Sequence, residues 1–404
     1  MATFDHMHQD RIGRLSNPSQ SQGLTIVGKT LLPGGEIRFA LTSLREGWIQ
    51  DVSVATTGAE ERAIRRAPGA SRLRDDEILT PAFIDVHCHG AGGGAADGGA
   101  DGLARMAHTL ADHGIGGFLA TFQTAELPSL KRAALAAADR MEDPSAAGAT
   151  LLGVHLEGPA LSAERSGGHD PKALTDLTTL CEALFGDPDG WRAVRLVTLA
   201  PELPGGLGLI SRLVDVGIAV SIGHTNATAA VVAEAYSAGA RSTTHLFNGM
   251  PPLHHRIIGP VGAALVGARF IELIADGVHV DGQLLAPVAR AIGPDRILLV
   301  TDALPLAGTR LRRVRIPGSF AVVRHGVARL PDGGIAGGRL LLDGVVRHAV
   351  RSGIPLQDAL RGASENPAAL LGLADRGVVR PGARADLVVV SRIGRVRQVI
   401  RSAM

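Results

Sequence analysis

Between residues 79 and 376 the chain repeats one hydropathy pattern: a short apolar, β-branched run, a polar or glycine-containing tip, then a helix-length amphipathic stretch closed by glycine. The runs are AFIDVH, IGGFLATF, ATLLGVHLE, AVRLVTLA, IAVSIGH, RSTTHLF, FIELIADG and RILLVTD. Apolar runs of this length bounded by turn residues read as strands covered on both faces. The spacers LARMAHTLADHG, LKRAALAAADRME, ISRLVDVG, ATAAVVAEAYSAG and LLAPVARAIG carry apolar residues at helical spacing. Eight strands separated by helices are the count for an α/β protein of the (β/α)8, TIM-like barrel class, whereas an open doubly wound sheet needs no such number.

The flanks differ. Residues 1–21 are rich in Ser, Gln and Pro and are expected to be disordered. In residues 22–78, from LTIVGKTLLPGG to SVATTGAEERAIRRAPGA, short apolar pieces alternate with Gly/Pro turns, which predicts a few antiparallel strands. GARADLVVVSRIGRVRQVI, within residues 377–404, has the same character. Two β-rich ends therefore flank the barrel.

Composition narrows the function. Hydrophobic residues make up 45% of the 404 but aromatics only 3%, so the core is built from Val, Leu, Ile and Ala, and no base-stacking platform is expected. A net charge of +2, with arginines spread along the chain, excludes a basic nucleic-acid footprint. No apolar stretch approaches the about 20 residues that span a bilayer, and the N-terminus carries no apolar h-region. Cys88 and Cys181 have no bridge or zinc-finger spacing. A soluble cytoplasmic protein is expected, without membrane or nucleic-acid partners.

Candidate chemistry lies at the strand ends. His87 and His89 follow the first run, Glu157 ends the third, Glu202 follows the fourth, His224 ends the fifth, His245 lies in the sixth, His279 follows the seventh and Asp302 ends the eighth. In a parallel barrel those ends converge on one mouth. Residues i and i+2 of a strand share a side, so His87 and His89 can face one metal while Cys88 turns outward and packs as a small apolar residue. Each piece alone also reads as a strand end, a turn or a helix cap, as at Thr225 and Asn226. Together they cannot be buried unpartnered, because each would cost roughly several kcal/mol. A divalent ion is the common partner that resolves this, and imidazole plus carboxylate suits Zn, Fe, Co or Mn. Cys181 falls at helical spacing with Leu180 and Leu184 and is expected in the core.

The motifs IDVHCHG, HLEGP, SIGHT, THLFNGM, ADGVHVD and LVTDA, with the tail ENPAALLGL…GVVRPGARADLVVV, resemble the amidohydrolase superfamily and, within it, the N-acetylglucosamine-6-phosphate deacetylases. The resemblance runs from about residue 24 to 395. It implies a metal-dependent (β/α)8 barrel with a small β-sandwich made from both chain ends, and hydrolysis of the acetamide of N-acetylglucosamine 6-phosphate in amino sugar catabolism or cell-wall recycling. Residue by residue, it implies metal ligands at Glu157, His224 and His245, and a pair for a second ion at His87 and His89, so that one or two divalent ions, zinc foremost, are expected. It implies a catalytic carboxylate at Asp302 and a substrate-orienting histidine at His279. Sugar and phosphate contacts fall on Gly168, Asn248, Gly249, Arg256, Ile335, Ala336 and Gly337, and a homodimer is implied. This chain departs from the family pattern at Ala82, at Ser166-Gly167-Gly168-His169 and at Arg256-Ile257-Ile258-Gly259. The galactosamine and mannosamine epimers remain alternative substrates. Cyclic-amide hydrolases commonly place a carboxylated lysine where Glu157 stands, and Lys29, Lys131 and Lys172 are the only lysines. An inactive barrel scaffold is the remaining alternative, which the full set of ligands and Asp302 argues against.

Overall fold

Each apolar run forms a strand of one parallel sheet in sequence order. In the computed structural model, which describes Gly13–Arg14 and residues 23–143 and 145–401, these strands are β1 Phe83–Cys88, β2 Ile115–Phe122, β3 Thr150–Glu157, β4 Val194–Leu199, β5 Ala219–Ile222, β6 Ser242–Thr243, β7 Phe270–Leu273 and β8 Ile297–Leu299. The sheet rounds from β8 onto β1 just past the strands: the Asp302 amide donates to the His87 carbonyl at 2.9 Å, and the His89 amide to the Ala303 carbonyl at 2.9 Å. The segment 1–21 expected to be disordered lies outside the described residues, apart from Gly13–Arg14, whose backbone pairs with Gln398–Val399.

Helices α1 Gly99–Asp112, α2 Leu127–Glu142, α3 Leu177–Gly186, α4 Gly206–Asp215, α5 Ala229–Ser237, α6 Gly259–Gly267, α7 Gly282–Ile292 and α8 Leu342–Arg351 alternate with the strands. The five amphipathic spacers all lie on these helices. The sixth helix has no apolar stripe to betray it, since GPVGAALVG is small and apolar on every side. Cys181 is half-buried on α3, and Cys88 is fully buried in the layer between barrel and helices, as strand alternation predicts.

That alternation survives only through an irregularity. Along β1, Ile84 and Val86 point into the barrel with Leu119, Leu196, Phe270, Leu298 and Val300. A β-bulge between Asp85 and Cys88, where β1 spends one residue more than β2, then turns His87 inward and Cys88 outward. Above this apolar floor lies a polar layer: His155 Nε2 to Thr198 Oγ1 at 2.8 Å, Thr198 to Thr244 at 2.8 Å, and Thr244 to Ser221 at 2.7 Å. The mouth rests on that layer.

The chain ends build one mixed sheet rather than a purely antiparallel one. Leu24–Leu31, Ile37–Arg45 and Trp48–Val54 are antiparallel, but Glu77–Pro81 returns parallel to Leu24–Leu31. The crossover that parallel pairing requires is the helix Gly58–Arg65. Leu387–Ser391 and Val396–Ile400 complete the sheet over Ile26, Ile49, Leu79, Leu387 and Ile400. A four-stranded antiparallel sheet, Arg313–Ile316, Ser319–Arg324, Val327–Arg329 and Ile335–Gly337, stands between β8 and α8 and was not expected. Its signal is legible in hindsight: short β-branched runs broken at Pro317-Gly318 and Gly326. Among the described residues, no helix is long and apolar enough to cross a membrane.

His113, at the end of α1, places Nδ1 3.2 Å from Asp343 Oδ2 in the first turn of α8. Burial pushes the His113 pKa down, but the hydrogen bond and charge of Asp343, with Asp112 nearby, outweigh it and raise it above the usual value. A raised folded-state pKa means that the contribution is fully present below about 6.5 and is lost as pH rises through the folded value. Replacing His113 with Gln is therefore expected to cost roughly 0.5–1 kcal/mol near pH 5.5 and little near pH 9. Thermal unfolding at the two pH values checks this, and an equal deficit at both contradicts it.

Candidate metal centre

Five imidazoles turn their Nε2 atoms toward one carboxylate. Glu157, the last residue of β3, has Oε1 3.2 Å from His224 Nε2, 3.0 Å from His245 Nε2 and 3.4 Å from His87 Nε2, and Oε2 3.2 Å from His89 Nε2. Asp302 Oδ1 closes the cluster at 3.0 Å from His89 and 3.6 Å from His87. His279 Nε2 stands 3.9 Å from Asp302 Oδ2. The strand-end residues thus meet at the mouth as the sequence pattern predicts, except Glu202, whose carboxylate accepts from Thr225 Oγ1 at 2.5 Å and the Asn226 amide at 2.6 Å and so ties β4 to the turn after β5.

The backbone is bent to achieve this. His224, His245 and Asp302 all have positive φ, at 46°, 28° and 49°, a region uncommon for residues other than glycine. Gly249, itself at φ 61°, lets the HLFNGM loop approach: a Cβ there would stand 2.8 Å from His224 Nδ1. Asp302 is further pinned by its carbonyl, which accepts from the Gly338 amide at 2.6 Å, just beyond the strand Ile335–Gly337.

Outer partners set the tautomers. His89 Nδ1 donates to the Thr121 carbonyl at 3.1 Å, His224 Nδ1 to the Arg165 carbonyl at 2.7 Å and His87 Nδ1 to Glu272 Oε2 at 2.9 Å. Each neutral ring then presents a bare Nε2 lone pair to the centre, the arrangement that buttressed metal ligands adopt. His169 is the opposite case. Its Nδ1 accepts from the Thr124 amide at 3.1 Å, so its Nε2 carries the hydrogen and donates to Glu157 Oε2 at 3.2 Å.

Charge points the same way. Burial opposes ionisation of Glu157, yet the neighbouring His87 and His169 hold its carboxyl well below the usual range. Burial also works against His89, but hydrogen bonds to Asp302 and Glu157 push it up to about 9. His87, likewise desolvated, is raised well above its ordinary value by the charges of Glu157 and Glu272. Burial, with the His224 charge, pushes His169 down to about 4 despite Glu157, which suits a neutral ring. The pocket demands positive charge, and a metal ion supplies it while leaving the rings neutral. Among the described residues, His245 Nδ1 and Glu272 Oε1 also have no hydrogen-bond partner. His87, His89 and Asp302 form one group whose ligand atoms lie within 4.8 Å of one another, and Glu157, His169 and His224 form another. Because His169 Nε2 carries its hydrogen, the lone pairs free to hold an ion beside Glu157 are those of His224 and of His245, whose Nε2 stands 3.0 Å from both Glu157 Oε1 and His224 Nε2.

The expected sugar contacts divide. Gly168 faces the Ala336 carbonyl, 3.7 Å from where its Cβ would stand, so Ile335–Gly337 and the Gly168 loop meet beside the cluster. Asn248 spends its amide hydrogens on the His245 and Leu246 carbonyls at 3.2 and 3.3 Å. Arg256 is exposed on the loop before α6, and among the described residues no acceptor meets its guanidinium. Sequence reasoning missed His169, Glu272 and Asp276. Glu272, fully buried, joins His87 Nδ1 to the His245 amide, and a carboxylate inside the apolar run FIELI was its signal. Asp276 accepts from His279 Nδ1 at 2.8 Å, three residues away.

Residues 78–402 match the profile of the amidohydrolase family. The chain belongs to that family. It is 36% identical to an N-acetylgalactosamine-6-phosphate deacetylase of Escherichia coli O157:H7 over 88% of this chain and 94% of that one. It is 37% identical to the N-acetylglucosamine-6-phosphate deacetylase of Bacillus subtilis (strain 168), over 78% and 81%. The crystal structure of N-acetyl-D-glucosamine-6-phosphate deacetylase from Mycobacterium smegmatis superposes with a TM-score of 0.84 at 33% identity, covering 94% of this chain and 98% of that chain. The expected resemblance therefore holds, as does the barrel with its terminal β-sandwich. This amidohydrolase is a hydrolase acting on an amide, a deacetylase by its relatives, and its mouth is a divalent-metal site.

Purified His169→Gln is expected to keep the metal content of the parent, whereas His224→Gln loses most of it, because only His224 offers a lone pair. Elemental analysis of both variants decides this, and metal loss in His169→Gln contradicts the tautomer assignment.

Proposed function

We propose that this amidohydrolase removes the acetyl group from N-acetylglucosamine 6-phosphate, giving glucosamine 6-phosphate and acetate. The observation that carries the proposal is the placement of Asp302 and His279 at 3.9 Å from one another beside the Glu157, His224 and His245 side chains. The relatives named as deacetylases of N-acetylhexosamine 6-phosphates support the substrate class. When bound by Glu157, His224 and His245, a divalent ion, zinc foremost with Fe, Co or Mn as the other candidates, supplies Lewis acidity that acidifies water and polarises a carbonyl. His87 and His89 offer the place for a second ion.

The protein's own groups do the rest. Asp302, kept ionised by His89 and His87 against the effect of burial, takes a proton from the water that adds to the acetamide carbon. As the C–N bond breaks, the same carboxyl returns that proton to the departing amine nitrogen, and the acyl carbon leaves as acetate. His279 has its pKa raised, because the Asp276 hydrogen bond and charge outweigh burial. Its Nε2–H can therefore donate to the oxygen on which negative charge develops. Gly168, Asn248, Gly249 and the strand Ile335–Gly337 line the sugar's place, and Arg256 offers a planar fork to the phosphate. Leu253, Ile257 and Ile258, exposed at 47%, 76% and 38% on the same loop, support its packing against a second copy in a homodimer. The two free thiols support a cytoplasmic location.

The 4-epimer, N-acetylgalactosamine 6-phosphate, is the second reading, and the Escherichia coli relative favours it. A deacetylation assay over the glucosamine, galactosamine and mannosamine sugars, with and without 6-phosphate, separates the two. Asp302→Asn is expected to lower kcat by about 10²–10⁴-fold while the ion held by Glu157, His224 and His245 is retained. Near-parental turnover contradicts the role. Arg256→Ala is expected to raise KM about ten- to hundredfold for phosphorylated sugars only. An equal effect on unphosphorylated sugars removes the phosphate assignment.

A further inference from the structure

Gln123 follows the last residue of β2 at the barrel mouth, and it is 8% exposed. Among the described residues, nothing hydrogen-bonds its side-chain amide, although the neighbouring Thr121 and Thr124 are fully engaged. The amide atoms are not sealed either, since they are absent from the fully enclosed orphans, so they reach the open mouth. Nε2 stands 4.0 Å, and the Ala336 carbonyl oxygen 3.7 Å, from where a Cβ on Gly168 would lie. The Gln123 amide and the Ala336 carbonyl therefore both face the side-chain position that glycine leaves empty at Gly168. This position borders the metal cluster by a single ring: the Thr124 amide holds His169 Nδ1 at 3.1 Å, and His169 Nε2 holds Glu157 at 3.2 Å.

An amide that reaches the mouth of the barrel without a protein partner is free to pair with whatever enters there. A ligand group that both donates and accepts suits it, and a hydroxyl is such a group, whereas a phosphate only accepts. Arg256 sits on the loop after β6, four strands around the eight-stranded barrel from β2, so the phosphate end lies across the mouth from Gln123. The acetamide lies between them at the cluster. Resting on the deacetylase reading above, we propose that Gln123 is a specificity-determining residue that hydrogen-bonds a ring hydroxyl on a carbon next to the acetamide-bearing one. A sugar whose hydroxyl there is removed or alkylated forfeits this contact.

Kinetics of the metal-loaded parent and of Gln123→Leu on N-acetylglucosamine 6-phosphate and on its 1-deoxy and 3-deoxy analogues test this. Leucine is expected to raise KM about tenfold on the full sugar with kcat little changed, the size of one lost hydrogen bond. On one of the two analogues the parent loses the same factor and leucine adds nothing, which also says which hydroxyl is read. An unchanged KM on the full sugar, or a leucine penalty that persists on both analogues, overturns the assignment. If Gln123→Leu fails to retain metal, Gln123→Ala carries the same comparison. Should the parent deacetylate no N-acetylhexosamine 6-phosphate at all, the deacetylase reading falls and takes this inference with it; an active parent with an indifferent variant sinks the Gln123 role alone.

Discussion

A carboxylate sealed at the tip of a buried strand needs positive charge beside it, and the imidazoles that four other segments deliver around Glu157 are arranged to hold the cation that supplies it. The rest of the mouth follows from that requirement. Desolvation raises the cost of leaving the charge unmet, so the rings must approach within hydrogen-bond distance, and the backbone accepts positive φ at His224 and His245 to bring them there. Because three of the rings are tied by Nδ1 to outer acceptors, the lone pairs at the centre are pre-aimed before any ion arrives. Binding then costs little reorganisation.

The supporting layers divide the work. Apolar side chains fill the lower barrel, a chain of hydroxyls and His155 forms the middle, and only the uppermost layer is ionisable. This grading keeps water away from the floor while leaving the mouth polar enough to take a sugar. Asp302 draws on two elements at once: its backbone is held between the His87 carbonyl and the Gly338 amide, so the seam that closes the barrel also aims the carboxylate. The inserted antiparallel sheet therefore belongs to the site as much as to the surface.

Much of this was legible in the sequence, for identifiable reasons. Parallel strands buried on both faces leave uniform apolar runs, so all eight strands could be read, and their ends located the ionisable residues. What escaped reading were features with no periodic signature. Helix α6 is apolar all round, the bulge in β1 is a matter of register, and the parallel return of Glu77–Pro81 depends on a crossover. Glu272, inside the apolar run of β7, and His169, on the loop after β3, act through other side chains, so position alone could not single them out. The reversed tautomer of His169 is set by one backbone amide and is visible only in three dimensions.

The central claim is that this cluster is built around a cation held by Glu157, His224 and His245, with His169 outside the ligand set. Anomalous diffraction from crystals of the protein loaded with zinc tests it most directly. The account predicts a metal peak about 2.0–2.2 Å from Glu157 oxygen and from the Nε2 atoms of His224 and His245. No peak at the mouth, or one coordinated by His169 in place of His245, would contradict it.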